Sequence, residues 1–358
     1  MESMVDFSIF KDKTILITGH TGFKGSWLSI WLHSLGAKVV GYGLDPYSER
    51  DNFVLSEIGS KIEADVRGDL NEVSKLHAVF ETYRPEIVFH LAAQPLVRLS
   101  YECPVETYAT NVMGTIRVME EVRRCSQTRV AVMITTDKCY ENREQLWGYR
   151  EDEAMGGYDP YSSSKGAVEL AIASWRRSFM NPVDYARHGK SIASVRAGNV
   201  VGGGDWALDR IIPDCIRALE AERPIEIRSP QAVRPWQHVL EPLGGYMTLA
   251  AKMLEEPTEY CEGWNFGPTM ESIVPVWEIA SLVRDNYGRG ELKDVSDPGA
   301  LHEAKLLALD ISKARFRLGW TPRWDIRTTI AKTVEWYARY RTENVLQLCQ
   351  EQIKSYVG

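Results

Sequence analysis

The sequence predicts an α/β fold, a doubly wound parallel sheet with a smaller C-terminal substrate-binding lobe. Three observations carry that prediction. Short apolar, β-branched runs alternate with helical patterns, a glycine turn joins the first run to the first helix, and the chemistry-bearing motifs fall at or just beyond the ends of such runs.

The first run is Thr14-Ile15-Leu16-Ile17-Thr18, and Gly19-His20-Thr21-Gly22-Phe23-Lys24-Gly25 follows it directly. Glycine there permits unusual backbone angles and lets both a pyrophosphate and the next helix approach the main chain. The helix expected from about residue 26 to 34 would aim free backbone N–H groups at the phosphates. Gly19, Thr21, Gly22, Phe23 and Gly25 are therefore candidate cofactor-binding residues. The second run, Val39 to Leu44, ends at Asp45, 20 residues beyond Gly25. A carboxylate at that spacing accepts hydrogen bonds from an adenosine ribose and favours NAD over NADP.

Further strand-like runs are Ile87-Val88-Phe89-His90-Leu91, Val130-Ala131-Val132-Met133-Ile134 and Ser191-Ile192-Ala193-Ser194-Val195. Beyond about Val200 the pattern changes, opening with Gly202-Gly203-Gly204-Asp205-Trp206 and broken by Pro213, Pro224, Pro230 and Pro235. The expected division is a nucleotide-binding domain of residues 1–199 and 233–262 and a smaller lobe of 200–232 and 263–358. Gly244 and Gly245 weaken the helical pattern from His238 to Leu254. There is no internal repeat or low-complexity linker, so the lobes should pack closely.

With 44% apolar and 25% charged residues the composition is that of a globular enzyme. A net charge of −7 argues against a nucleic-acid or anionic-membrane partner. The six cysteines form no Cys-x-x-Cys pair and no zinc spacing, so they read as reduced thiols and no metal is expected. No signal core and no run of the ~20 apolar residues needed to span a bilayer is apparent, and the expected location is the cytoplasm.

Two motifs carry chemistry: Thr135-Thr136-Asp137-Lys138 and Tyr161-Ser162-Ser163-Ser164-Lys165. Tyr161 and Lys165 are four residues apart and share a helix face, so the ammonium can stabilise an ionised phenol. Together with the Gly-x-x-Gly-x-x-Gly turn, this pair resembles the extended short-chain dehydrogenase/reductases. That resemblance implies a Rossmann domain with bound NAD, with Asp65 and Val66 after the third strand facing the adenine and Leu91, Ala92 and Ala93 beside the cofactor. It also implies that Lys165 hydrogen-bonds the nicotinamide ribose, Thr136 positions the sugar alcohol and Tyr161 is the base.

An Asp immediately after the Thr is similar to the nucleotide-sugar 4,6-dehydratases, where Glu usually follows; here Lys138 stands instead. Lysine removes a proton only when neutral, so Lys138 is either the carbon-5 base or a partner of Asp137 or of a water. Lysine at this place resembles the branch acting on CDP-glucose, as do Arg196 to Trp206 and Arg234 to Pro242. In that reading Asn199, Arg210 and Arg234 meet the diphosphate or sugar, with an exposed salt bridge the competing role for Arg210, and His302 is a nucleotide contact or a plain loop histidine. The implied substrate is CDP-glucose, the cofactor a recycled NAD, the acid Asp137, and the pathway deoxysugar biosynthesis for lipopolysaccharide O-antigen. A dehydratase for another nucleotide sugar, a 4-epimerase and a non-catalytic NAD-binding protein are the alternatives. A homodimer or dimer of dimers is expected through helices near 111–124 and 161–179.

Overall fold

The computed structural model describes residues 6–296 and 306–358. Seven strands form one sheet: β1 (Thr14–Thr18), β2 (Lys38–Gly43), β3 (Ala64–Arg67), β4 (Ile87–His90), β5 (Val130–Ile134), β6 (Ser191–Ala197) and β7 (Gly263–Phe266). Their order is β7-β6-β5-β4-β1-β2-β3, and every pairing is parallel. The chain winds outward from β1 through β2 and β3, then returns to lay β4 against the other side of β1, with Ile15 opposite Ile87. That reversal opens a crevice at the carboxyl ends of β1 and β4, where such sheets hold ligands.

The strands read as continuous apolar runs because both faces are covered. Val130, Val132 and Ile134 of β5 join the core on one face, and Ala131 and Met133 join a second core on the other. Each fully buried aliphatic side chain of this kind contributes about 1.5–3 kcal/mol.

Helix α1 (Phe23–Ser34) begins three residues earlier than the sequence suggested, because Gly22 is extended at φ −74°, ψ 171° and the helical angles start at once after it. Helices α2 (Val73–Tyr83), α3 (Gly114–Arg124) and α4 (Pro160–Ser178) follow in the first domain. Asp159 caps α4 by accepting from Ser162 N at 2.9 Å, and Pro160 occupies its first turn, so the start of the helix that carries Tyr161 is sharply defined.

Helix α5 (Leu240–Glu255) is buried along nearly its whole length against β5, β6 and β7. Gly244 and Gly245 do not interrupt it. A β-carbon on Gly245 would lie 2.3 Å from the Phe266 ring, so the small residue is what allows helix and strand to close together. Asp65 and Val66 lie within β3 rather than after it. Gly263–Phe266, expected in the smaller lobe, instead bonds to Ser194–Ala197 as the edge strand of the main sheet, since its Trp264 and Phe266 are fully buried on that sheet.

The remaining elements surround the crevice: a helix at Ile211–Glu220, a helix at Val276–Tyr287, and an antiparallel pair of Val233–Pro235 with Ile273–Pro275. The helix Val345–Val357 packs back on α1, with Trp31 and Tyr356 edge to face at 5.7 Å. Helix Ile326–Arg339 lays Trp336 over Gly203, where a β-carbon would sit 1.9 Å from the indole. Gly203→Ala is therefore expected to lower stability by about 1–3 kcal/mol through overpacking, read as a shifted midpoint in denaturant unfolding.

Candidate active site

The glycine turn closes on itself at the crevice. Gly19 has φ +73°, and a β-carbon there would be 2.8 Å from the backbone of Ala92; one on Gly25 would be 2.1 Å from the Gly19 carbonyl oxygen. Gly22 precedes α1 with no side-chain cap, which leaves the helix N-terminus open to an anion. Thr21 donates its hydroxyl to the Leu44 carbonyl at 2.9 Å and so fixes the end of β2, from which the exposed Asp45 projects 4.0 Å from Arg67. Leu91 and Ala92 donate backbone N–H groups to the Thr18 carbonyl and hydroxyl, holding the stretch Leu91 to Ala93 beside the turn. Phe23 points across to Gly202. The Asp65 carboxylate is held by His20 Nε2 at 2.7 Å and by Arg67 at 2.8 Å, with Val66 partly buried beside it. This glycine cradle, with a carboxylate at the end of β2, fits a dinucleotide.

The second group leaves the carboxyl end of β5. Thr136 is extended, and its hydroxyl caps a short turn, Asp137–Cys139, by accepting from Lys138 N. The same hydroxyl donates to Asp137 Oδ1 at 3.0 Å, and it lies close enough to the Tyr161 phenol to draw its pKa down. Asp137 is buried, and its Oδ2 has no hydrogen-bond partner among the described residues. Gly198 leaves that oxygen clear, since a β-carbon there would be 3.1 Å away. Burial pushes the Asp137 carboxyl up, against the opposing pull of Lys138, Thr136 and Arg234, which favours a proton on the acid.

Burial also pushes Tyr161 up to about 12; the Thr136 hydroxyl and the Arg210 charge pull it down, while Asp137 and Asp159 push it up. The sequence predicts a phenol lowered by Lys165 and by the positive nicotinamide ring together. The Lys165 ammonium donates to the Ile134 carbonyl at 3.5 Å, and burial draws Lys165 itself down to about 8. Arg210 pairs with Asp205 at 2.7 Å with its side chain partly exposed, and its charge also reaches Tyr161. Arg234 lies close enough to act on Asp137 and donates to the Val233 carbonyl at 2.8 Å. Asn199 is partly buried where its carbonyl accepts from Gln237 N at 3.0 Å. His302 lies outside the described residues. Among those described, no group of His, Cys, Asp and Glu is arranged to hold a metal.

Several participants escaped the sequence reading. Lys24, inside the glycine turn, is drawn down to about 7 by burial and by the charges of Lys165 and Arg210, against Asp137. Tyr246 on α5 is buried with an unpartnered hydroxyl and feels the charges of Asp137 and Tyr161. Asn111 sits in a π-helical turn, Ala109–Met113, and bonds Ser164 of α4 at 2.9 Å. Only the π-turn has a local signal of its own, since the rest is pairing between distant segments.

With this geometry in place, comparison with known proteins is informative. The profile of the GDP-mannose 4,6 dehydratase family matches residues 16–333. The chain belongs to the GDP-mannose 4,6 dehydratase family. Within and around that family, it is 47% identical over 356 residues to the CDP-glucose 4,6-dehydratase of Salmonella typhimurium, covering 99% of each chain. It is 26% identical over 348 residues to a dTDP-glucose 4,6-dehydratase of Xanthomonas campestris, covering 92% of this chain and 94% of that one. Among solved structures, MoeE5 in complex with UDP-glucose and NAD matches with a TM-score of 0.75 and 26% identity, over 92% of this chain and all (100%) of that chain. The NAD complex of dTDP-glucose 4,6-dehydratase from Bacillus anthracis shares the fold, with a TM-score of 0.77 and 19% identity over 94% and 99% of the two chains.

The cradle generates a test. Gly25→Ala is expected to weaken NAD binding by more than about 100-fold, roughly 2.7 kcal/mol, in isothermal titration. Unchanged affinity would mean that the turn does not approach the cofactor.

Proposed function

We propose that this protein converts CDP-glucose to CDP-4-keto-6-deoxyglucose and water, as a nucleotide-sugar 4,6-dehydratase with recycled NAD. The observation that carries the proposal is the buried Asp137, with its free oxygen, one residue from the Thr136 hydroxyl that acts on the Tyr161 phenol. An epimerase has no leaving hydroxyl to protonate and no use for such an acid. The choice of CDP-glucose is supported by the 47% identity along essentially the whole chain.

When bound in the glycine cradle, NAD supplies a hydride acceptor for carbon 4 and later a donor for carbon 6. We assign the cradle to Gly19, Thr21, Gly22, Phe23 and Gly25, the ribose to Asp45, the adenine side to Asp65 and Val66, and the inner wall to Leu91, Ala92 and Ala93. Tyr161 takes the carbon-4 hydroxyl proton. Its phenol is held high by burial, so a positive charge brought alongside is what makes it a base near neutral pH. The resulting ketone acidifies carbon 5, whose proton falls to Lys138 or to a water that Lys138 holds. Asp137, whose carboxyl burial raises, gives its proton to the departing carbon-6 hydroxyl. Arg234 and Arg210, with Asn199, face the diphosphate and sugar; His302 is retained as a nucleotide contact.

Six free cysteines suit a reducing compartment, and we place the enzyme in the cytoplasm. Its product is a deoxysugar precursor of the kind used in lipopolysaccharide O-antigen. We also propose a homodimer, or a dimer of such dimers, because Val105, Met113 and Leu170 are 74%, 46% and 61% exposed on the helical segments around α4. Apolar side chains gathered there suit a helical interface.

Incubation with NAD and CDP-glucose in deuterated water should give a product lighter by one water and carrying one non-exchangeable deuterium, read by mass spectrometry. An isomer without water loss would favour the epimerase. Tyr161→Phe is expected to lower the first oxidation about 10²- to 10⁴-fold while NAD still binds, and Asp137→Asn to slow water loss by a similar factor. For assembly, Val105→Glu with Leu170→Glu should shift the light-scattering mass to that of a monomer. A wild-type protein that is already monomeric at working concentration would reject the dimer.

A further inference from the structure

Lys165 and Glu169 are one turn apart on α4 and therefore share a face. Lys165 Nζ donates to the carbonyl of Ile134, and Glu169 Oε1 accepts from the hydroxyl of Thr135. Ile134 and Thr135 are consecutive residues at the end of β5, immediately before Thr136 and Asp137. Two rungs of one helix thus grip two successive residues of one strand.

The second carboxylate oxygen reaches the neighbouring strand. Glu169 Oε2 accepts from Ser194 at 2.7 Å and from Arg196 at 2.8 Å, both on β6. Arg196 continues to the Tyr140 hydroxyl at 2.7 Å and to the Glu151 carbonyl at 2.9 Å, and Tyr140 donates to Asn265 of β7 at 2.8 Å. The Glu169 and Arg196 side chains are only 4% and 6% exposed. A buried pair of this kind costs desolvation energy, and apolar residues of similar volume often serve stability as well. Packing alone therefore gives little reason for an anion at this position.

We propose that Glu169 is a positioning residue for the dehydration, clamping α4 to the end of β5 so that Tyr161 stays in register with Thr136 and Asp137 and Lys165 stays within the field of a fixed carboxylate. This rests on the function proposed above. The groups that act on Lys165 or feel its charge are Glu169 from its own helix, the Cys139 thiol from the turn after β5, His90 from β4 and Lys24 from α1. Burial pushes the Glu169 carboxyl up, but Arg196 and the two hydroxyls pull it below the ordinary range, so it is ionised. Burial draws Lys165 down, and the charges of Glu169 and Cys139 oppose that. Loss of the carboxylate therefore makes Lys165 lose its proton at lower pH. A purely structural pair would leave that titration where it was.

The test uses full-length Glu169→Gln, Glu169→Asp and the double variant Glu169→Gln/Arg196→Met, which leaves no unpaired charge in the interior. Two quantities are followed across the alkaline range: single-turnover formation of reduced nicotinamide from CDP-glucose, and acetylation of Lys165 by peptide mass spectrometry. In both Gln variants the alkaline limb and the Lys165 titration should move down by about one pH unit, a roughly tenfold loss of rate on that limb. Glu169→Asp should retain the wild-type limb at a reduced rate. If the folded double variant, checked by thermal unfolding, superimposes on wild type in both readouts, Glu169 is structural only. A wild-type protein inert toward CDP-glucose would overturn the functional reading, while the Lys165 titration would still decide the role of Glu169.

Discussion

The cleft is organised by the end of one strand that is buried on both faces. β5 has neighbours on each side and cores above and below, so the three residues that leave it start from a fixed point. Their side chains pass from structure to chemistry in order. Thr135 is absorbed by Glu169 and the Val195 carbonyl, Thr136 caps the turn through Lys138 N and donates to Asp137, and Asp137 is left with one oxygen unsatisfied. An unsatisfied buried oxygen costs free energy, and its place at the end of the series is where a reacting hydroxyl would offer it a partner.

The electrostatics of the site follow from crowding charged groups into a poorly solvated space. Lys24, Lys165 and Asp137 are all shifted toward their neutral forms, chiefly by burial. Arg210 cannot shed its proton, and the Asp205 carboxylate at 2.7 Å offsets it instead. The protein thereby raises an acid and lowers two lysines within one cleft, an arrangement characteristic of proton-transfer chemistry.

Much of this was legible in the sequence where the signal was local. The runs of β1, β4, β5 and β6 are apolar and β-branched because parallel strands are covered on both faces, and the glycine turn and the Tyr161/Lys165 pair are spacings within one turn or one helix. What was not legible depends on pairing between distant segments. Nothing near Gly263 announces that it will pair with Ser194, and nothing near Glu169 announces Arg196. The burial that raises the Tyr161 phenol was not legible either, because the sequence shows a nearby lysine but not what packs around the ring. Gly244 and Gly245 weakened the helix reading because propensity is local, whereas their small size answers to Phe266 and Tyr356 from elsewhere in the chain.

The antiparallel pair of Val233–Pro235 with Ile273–Pro275 stands apart from the main sheet, yet it carries Arg234 to the acid. Thr136, Asp137, Tyr161 and Lys165 are anchored to the end of β5 and to α4, whereas Arg234 sits on a segment laid over the sheet. The chain is therefore modular in an evolutionary sense. An overlay of this kind can change without disturbing the strand ends beneath it, and the chain aligns along 99% and 92% of its length with relatives named for CDP-glucose and for dTDP-glucose.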